Sequence, residues 1–134
     1  MSMGDSCFSG ITFSFPLHHI NISTSTIEDL DFPEYYHFLF DPEELRFAME
    51  GCGIDDEGAK RLPDFTMKRY CRIYSLNLLR LIYEVCGWDK RYPYRAPAYY
   101  IPEHNIVVFD IVSAIRIVDG RLENDKGKGR YRLA

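Results

Sequence analysis

The segment after Pro63 carries the strongest periodic pattern in the chain and constrains the fold most. Met67, Tyr70, Cys71, Tyr74, Leu78, Leu81, Ile82 and Val85 recur at the spacings that form one apolar face of an α-helix. Asp64 or Thr66 can accept from the unpaired N–H groups at its start, and Gly87 suits the left-handed residue that ends a helix. The spacing therefore predicts one long central α-helix over about 65–86. Leu76, Leu79, Tyr83 and Cys86 widen the apolar face and leave a narrow polar stripe, chiefly Lys68, Arg72, Arg80 and Glu84. Such a helix must be covered on more than one side, by a sheet and by the N-terminal aromatics or a second subunit. Each large side chain that it removes from water contributes about 1.5–3 kcal/mol.

The remaining elements are read around that helix. Ile11, Phe13 and Phe15 alternate as one face of a strand ended by Pro16, and 20–23 reads as a short second strand. Thr26 can cap a helical turn over 27–30, which Pro33 interrupts. Asp41-Pro42-Glu43-Glu44 has the chemistry of a helix start, and Leu45, Ala48 and Met49 follow at helical spacing. A shorter helix over about 42–50 is thus expected, stopped by Gly51-Cys52-Gly53. Pro93 and Pro97 mark 87–97 as an irregular connection. Strands at 99–101 and 106–109 flank a turn at 102–105, and Asp119-Gly120 signals a hairpin returning through Arg121-Leu122. The β-branched run 111–118 fits a strand or a buried helix equally. The expected fold class is α+β: an antiparallel β-sheet packed on one long central helix and a shorter one. It forms a single domain over 1–134, with 124–134 as a mobile basic tail.

With 134 residues, 46% of them hydrophobic, the chain can bury a core without disulfides or structural metals. Cys7, Cys52, Cys71 and Cys86 include no CxxC pair, which excludes a zinc knuckle or a redox dithiol of that kind. All four are expected to be reduced thiols. Residues 1–17 lack a basic segment followed by an apolar run, and no apolar stretch approaches the roughly 20 residues that span a bilayer. The expected compartment is the cytoplasm, with no membrane partner.

Charge is distributed unevenly. The formal net charge is −4, yet residues 1–59 carry −11 and residues 60–134 carry +7. Such asymmetry suits a basic surface for an anionic partner, or two halves that neutralise each other across the fold or a dimer. The segment Trp88-Asp89-Lys90-Arg91-Tyr92-Pro93-Tyr94-Arg95 concentrates the feature, interleaving three cations with three aromatics. Rings stack on bases or cover apolar ligand surface, and guanidinium groups engage phosphates and carboxylates. Trp88, Lys90, Arg91, Tyr92, Tyr94 and Arg95 are therefore the candidate partner-binding residues. Lys68, Arg69, Arg72, Arg121 and Arg130 form a secondary basic surface. The competing reading makes Trp88, Tyr92 and Tyr94 loop anchors that close the core.

Catalytic and metal motifs are sparse. His18-His19 point to opposite sides of an extended chain. Glu34-x-x-His37 has the spacing of half a di-iron motif but lacks its second half, so neither a metal nor another cofactor is expected. No nucleophile elbow, P-loop or Rossmann fingerprint occurs. The sequence thus points to a non-enzymatic binding protein of the homodimer type, with a protein or small anionic ligand as partner. One alternative is a nucleic-acid-binding accessory protein, against which stands the acidic pI of about 5.5. The other is a small hydrolase or transferase using His37 or His104, which requires a pocket lined by that histidine with a carboxylate in reach.

Overall fold

The computed structural model describes residues 9–64 and 69–122. Among them the chain forms ten strands: β1 (Gly10–Ser14), β2 (His19–Ser23), β3 (Tyr35–Asp41), β4 (Arg46–Cys52), β5 (Lys60–Arg61), β6 (Tyr70–Ile73), β7 (Pro93–Ile101), β8 (Ile106–Phe109), β9 (Ile115–Val118) and β10 (Arg121–Leu122). Two helices interrupt them, α1 (Thr24–Asp29) and α2 (Leu76–Cys86). The strands run antiparallel in the order β5-β3-β4-β8-β7-β1-β2-β6, and β9 pairs with β7 and β10. The sheet curls into a half-barrel.

Strict alternation builds the core. Ile11 and Phe13 of β1 lie opposite Ile22 and Ile20 of β2, all four fully buried. Phe47 and Met49 of β4 and Val107 and Phe109 of β8 continue the inner surface. From α2, Leu79, Ile82 and Tyr83 pack into it. No helix among the described residues is long and apolar enough to cross a membrane.

This architecture corrects the expected fold class. Among the described residues the fold is mostly antiparallel β-sheet with one real helix, α2, not an α+β sheet packed on a long central helix. Among the described residues of 65–86, which are 69–86, only the eleven residues of α2 are helical. Tyr70–Ile73 is instead strand β6, paired to β2 with Ile22↔Cys71 and Ile20↔Ile73. Cys71 and Ile73 are buried while Tyr70 and Arg72 face outward, so four residues satisfy a period of two as well as a helical one. The outer edge of β2 supplies backbone partners that a helix there would leave unmatched. Ser75, with φ −153 and ψ 90, separates strand from helix.

The shorter helix expected over 42–50 is also absent. Asp41 does cap, its Oδ1 accepting the N–H groups of Glu43 at 3.1 Å and Glu44 at 3.3 Å. The turn goes no further, because Leu45 adopts φ 55 and reverses the chain. β4 then returns along β3 from Asp41↔Arg46 to Tyr35↔Cys52. Phe47 and Met49 point inward on that return while Ala48 and Glu50 do not. A third correction concerns 87–97, whose second half lies in β7. Pro93 opens that strand, and Pro97 lies where one side of β7 changes neighbour, between Arg95↔Ile115 and Ala98↔Phe109. A missing N–H there breaks no ladder bond.

Other elements agree with the sequence reading: the first two strands, the 99–101 and 106–109 hairpin, and the return at Asp119-Gly120, both with positive φ. Residues 111–118 resolve into a 3₁₀ turn (Ile111–Ser113) and then β9. The tail at 124–134 lies outside the described residues.

Candidate functional site

The Trp88–Arg95 segment is largely occupied with itself and with the core. Trp88 stacks on Tyr94, ring centroids 4.5 Å apart and planes at 10°, and packs against Phe13 and Tyr83. Tyr94 is only 9% exposed. Arg91 forks onto Asp89, with Nη2 to Oδ2 at 2.7 Å and Nε to Oδ1 at 3.1 Å. This bond, more than any other cause, holds the Asp89 carboxyl down at about 2. Lys90 lies 5.2 Å over the Phe15 ring, and Tyr92 has the guanidinium groups of Arg91 and Arg116 over its ring. Of the six candidates only Arg95 turns away, carried on β7 to the outer face of the sheet.

There Arg95 joins a cross-strand row. The register places Arg95 of β7 opposite Thr12 of β1, Thr12 opposite Asn21 of β2, and Asn21 opposite Arg72 of β6. Cross-strand neighbours stand about 4.5–5.5 Å apart, so their side chains touch. Arg95 Nη1 donates to Thr12 Oγ1 at 3.0 Å and Nη2 to Ser23 Oγ at 3.3 Å. Arg72 Nε donates to Asn21 Oδ1 at 3.0 Å, and its guanidinium lies 5.2 Å over the Tyr70 ring. Gly10 makes this possible: a Cβ on it would come within 3.1 Å of Arg95 Nη2 and 2.6 Å of the Ala96 carbonyl.

Beside the row lies a recess of about 690 Å³, lined by Asn21, Ser23, Thr24, Ser25, Arg69, Tyr70 and Arg95. None of these lining residues is acidic. An adjoining hollow of about 510 Å³ shares Arg69 and Tyr70 and adds Arg72, Tyr74 and one carboxylate, Asp64. Two guanidinium groups held in place by neutral side chains, with hydroxyls and a third arginine nearby, make a surface suited to phosphate or carboxylate oxygens. Thus Arg95 shares the recess with Arg69, which is distant from it in sequence, and Arg69 shares the adjoining hollow with Arg72, whereas Arg121 stands apart on β10. Lys68 and Arg130 lie outside the described residues. Sequence reasoning missed Thr12 and Asn21. Their signal was present as the outward positions alternating with Ile11, Phe13, Ile20 and Ile22.

His37 lines a larger cleft, about 1010 Å³, between β3 and α2. Its Nε2 lies 2.7 Å from Glu50 Oε1, and its Nδ1 lies 3.2 Å from the Glu57 carbonyl oxygen. Both ring nitrogens face acceptors, and only the doubly protonated imidazolium can donate to both. Its pKa is accordingly raised, first by the Glu50 hydrogen bond. The cleft thus meets the requirement of a pocket lined by His37 with a carboxylate in reach, and both ring nitrogens are engaged by acceptors in it. Cys52 shares the cleft, but its thiol pKa is pushed up, by burial first and then by Asp56 and Glu50. That is the reverse of what a thiolate nucleophile needs. His104 is exposed in the 102–105 turn. Glu34 pairs with Arg61 at 3.4 Å rather than joining His37. Among the described residues no group of three or more His, Cys, Asp or Glu side chains is placed to hold a metal ion.

Comparison with protein-family models, with curated proteins and with solved structures finds no match to this chain.

Proposed function

We propose that the protein is a non-enzymatic binding protein that holds an anionic partner in the arginine-lined recess of β2, β6 and β7. The observation that carries this reading is the row Arg95–Thr12–Asn21–Arg72, which orients two guanidinium groups from opposite ends of four adjacent strands. Thr12 and Ser23 accept from Arg95 and Asn21 accepts from Arg72, which orients both groups, and guanidinium groups form charge-assisted hydrogen bonds with carboxylate or phosphate oxygens. A protein or small anion fits better than a nucleic acid. Two of the rings that the sequence offers for base stacking, Trp88 and Tyr94, stack on each other instead.

Calorimetric titration with inorganic pyrophosphate and, separately, with a glutamate-rich peptide at low ionic strength tests the reading. Arg95→Gln and Arg72→Gln should each weaken binding about tenfold, the usual scale for one hydrogen bond to a charged group. Arg91→Gln should leave it unchanged, because that guanidinium is engaged by Asp89. Equal losses from Arg91→Gln and Arg95→Gln would show general charge attraction and defeat the recess.

A further inference from the structure

We propose that the cleft between β3 and α2 is a second interaction surface, which takes an extended basic segment of a partner protein as an added strand along the outer edge of β3. The strand that borders β3 on that side, β5, has two residues and pairs only with Tyr35 and Tyr36. Among the described residues no strand borders β3 there beyond Tyr36. The Leu62 N–H donates to the Glu34 carbonyl at 2.9 Å, which fixes the direction of the backbone groups. In an antiparallel strand these alternate, so Glu34, Tyr36, Phe38 and Phe40 point theirs away from β4. The loop before β5 passes beside His37, where a Cβ on Gly58 would sit 3.9 Å from the His37 Cβ. The open edge therefore begins at Phe38. Its sequence, Phe38-Leu39-Phe40, contains neither the lysine nor the proline with which edges are commonly protected from pairing.

The cleft defines what would pair there. Leu39 on one wall and Leu81 on the other are 41% and 43% exposed, and an added strand would cover apolar surface of this kind with alternate side chains. Glu50, Asp56 and Glu57 line the same cleft with Lys60 and with His37, whose imidazolium Glu50 already pairs, so Asp56 and Glu57 supply the remaining negative charge there. Main-chain pairing supplies affinity without sequence preference, and the carboxylates then select lysine or arginine on the occupant. The occupant is thus a strand alternating apolar and basic residues, opposite in charge to what the arginine recess takes.

A fluorescein-labelled peptide of alternating lysine and valine is the probe, read by anisotropy. The control has the same length and charge, with proline replacing alternate valines. The valine peptide should bind and the proline peptide should not, and binding should slow hydrogen exchange at the Phe38 and Phe40 amides. Leu39→Lys, at an exposed position, should weaken binding about tenfold or more by setting like charge against the lysines. Glu57→Gln, which keeps the backbone carbonyl that His37 uses, should weaken it less. Equal binding of the two peptides would reduce the effect to charge and overturn the proposal, as would unchanged affinity in Leu39→Lys. A dimer that forms without peptide and dissolves on Leu39→Lys would assign the edge to a second copy and overturn the proposed occupant. Arg95→Gln should not affect this peptide, so failure here and failure at the recess are separable.

Discussion

Single side chains set the strongest local constraints. The Tyr83 hydroxyl accepts from the Phe15 N–H at 3.1 Å and lies 2.6 Å from the Tyr92 carbonyl and 3.1 Å from that of Phe13. It ties α2 to β1 and to the loop before β7, and burial pushes its pKa up to about 12. Tyr83→Phe leaves these groups without their partner and should cost about 1–3 kcal/mol in urea unfolding. Two histidines give stability opposite pH dependences. The pKa of His37 is raised above 6.5 by Glu50, with Asp56 and Glu57 beside it. Its contribution is complete below pH 6.5 and is lost as pH rises through the raised value. The pKa of His19 is lowered, by burial first and then by Arg72, so its contribution is present above pH 6.5 and lost as pH falls. Unfolding midpoints across pH should show His37→Gln flattening the alkaline decline and His19→Asn flattening the acid one.

Elements reveal where local pattern decides structure and where it does not. Gly87 ends α2 at φ 69, and nothing lies within 4 Å of the place a Cβ would take, so only backbone strain opposes a side chain there. Gly87→Ala should therefore cost about 1–2 kcal/mol, the left-handed penalty alone, with thermal unfolding as the readout. That terminator was legible because its cause is local. So were the Asp119-Gly120 hairpin and the alternation of β1. The start of the helix was not legible, since Tyr70-Cys71-Arg72-Ile73 satisfies two periods and β2, fifty residues earlier in sequence, decides between them. Likewise the Asp41 cap was read correctly, but the length of the turn it opens depends on β3 lying ready to pair with Phe47 and Met49. Capping chemistry identifies a turn; it does not measure a helix.

At the scale of the molecule, the uneven charge of the sequence becomes spatial only in part. Glu34, Asp41, Glu50, Asp56 and Glu57 lie on or beside β3 and β4, near one end of the strand order, together with Arg46, Lys60 and Arg61, whereas Arg69, Arg72 and Arg95 lie on or beside β6 and β7, with Glu28 and Asp29 on α1. Screening shortens to about 3 Å at 1 M salt, so binding at both the recess and the β3 edge should weaken as salt rises. The arginines were legible as cations but were assigned to a loop and a helix; they meet only because register sets Arg95, Thr12, Asn21 and Arg72 in line. The most direct measurement of that convergence is a titration of the ¹⁵N-labelled chain with inorganic pyrophosphate, following arginine Nε–Hε signals at low ionic strength. The signals of Arg69, Arg72 and Arg95 should shift together and saturate while those of Arg46 and Arg91 stay in place. Shifts spread over all the arginines without saturation, or none at Arg72 and Arg95, would contradict the binding site.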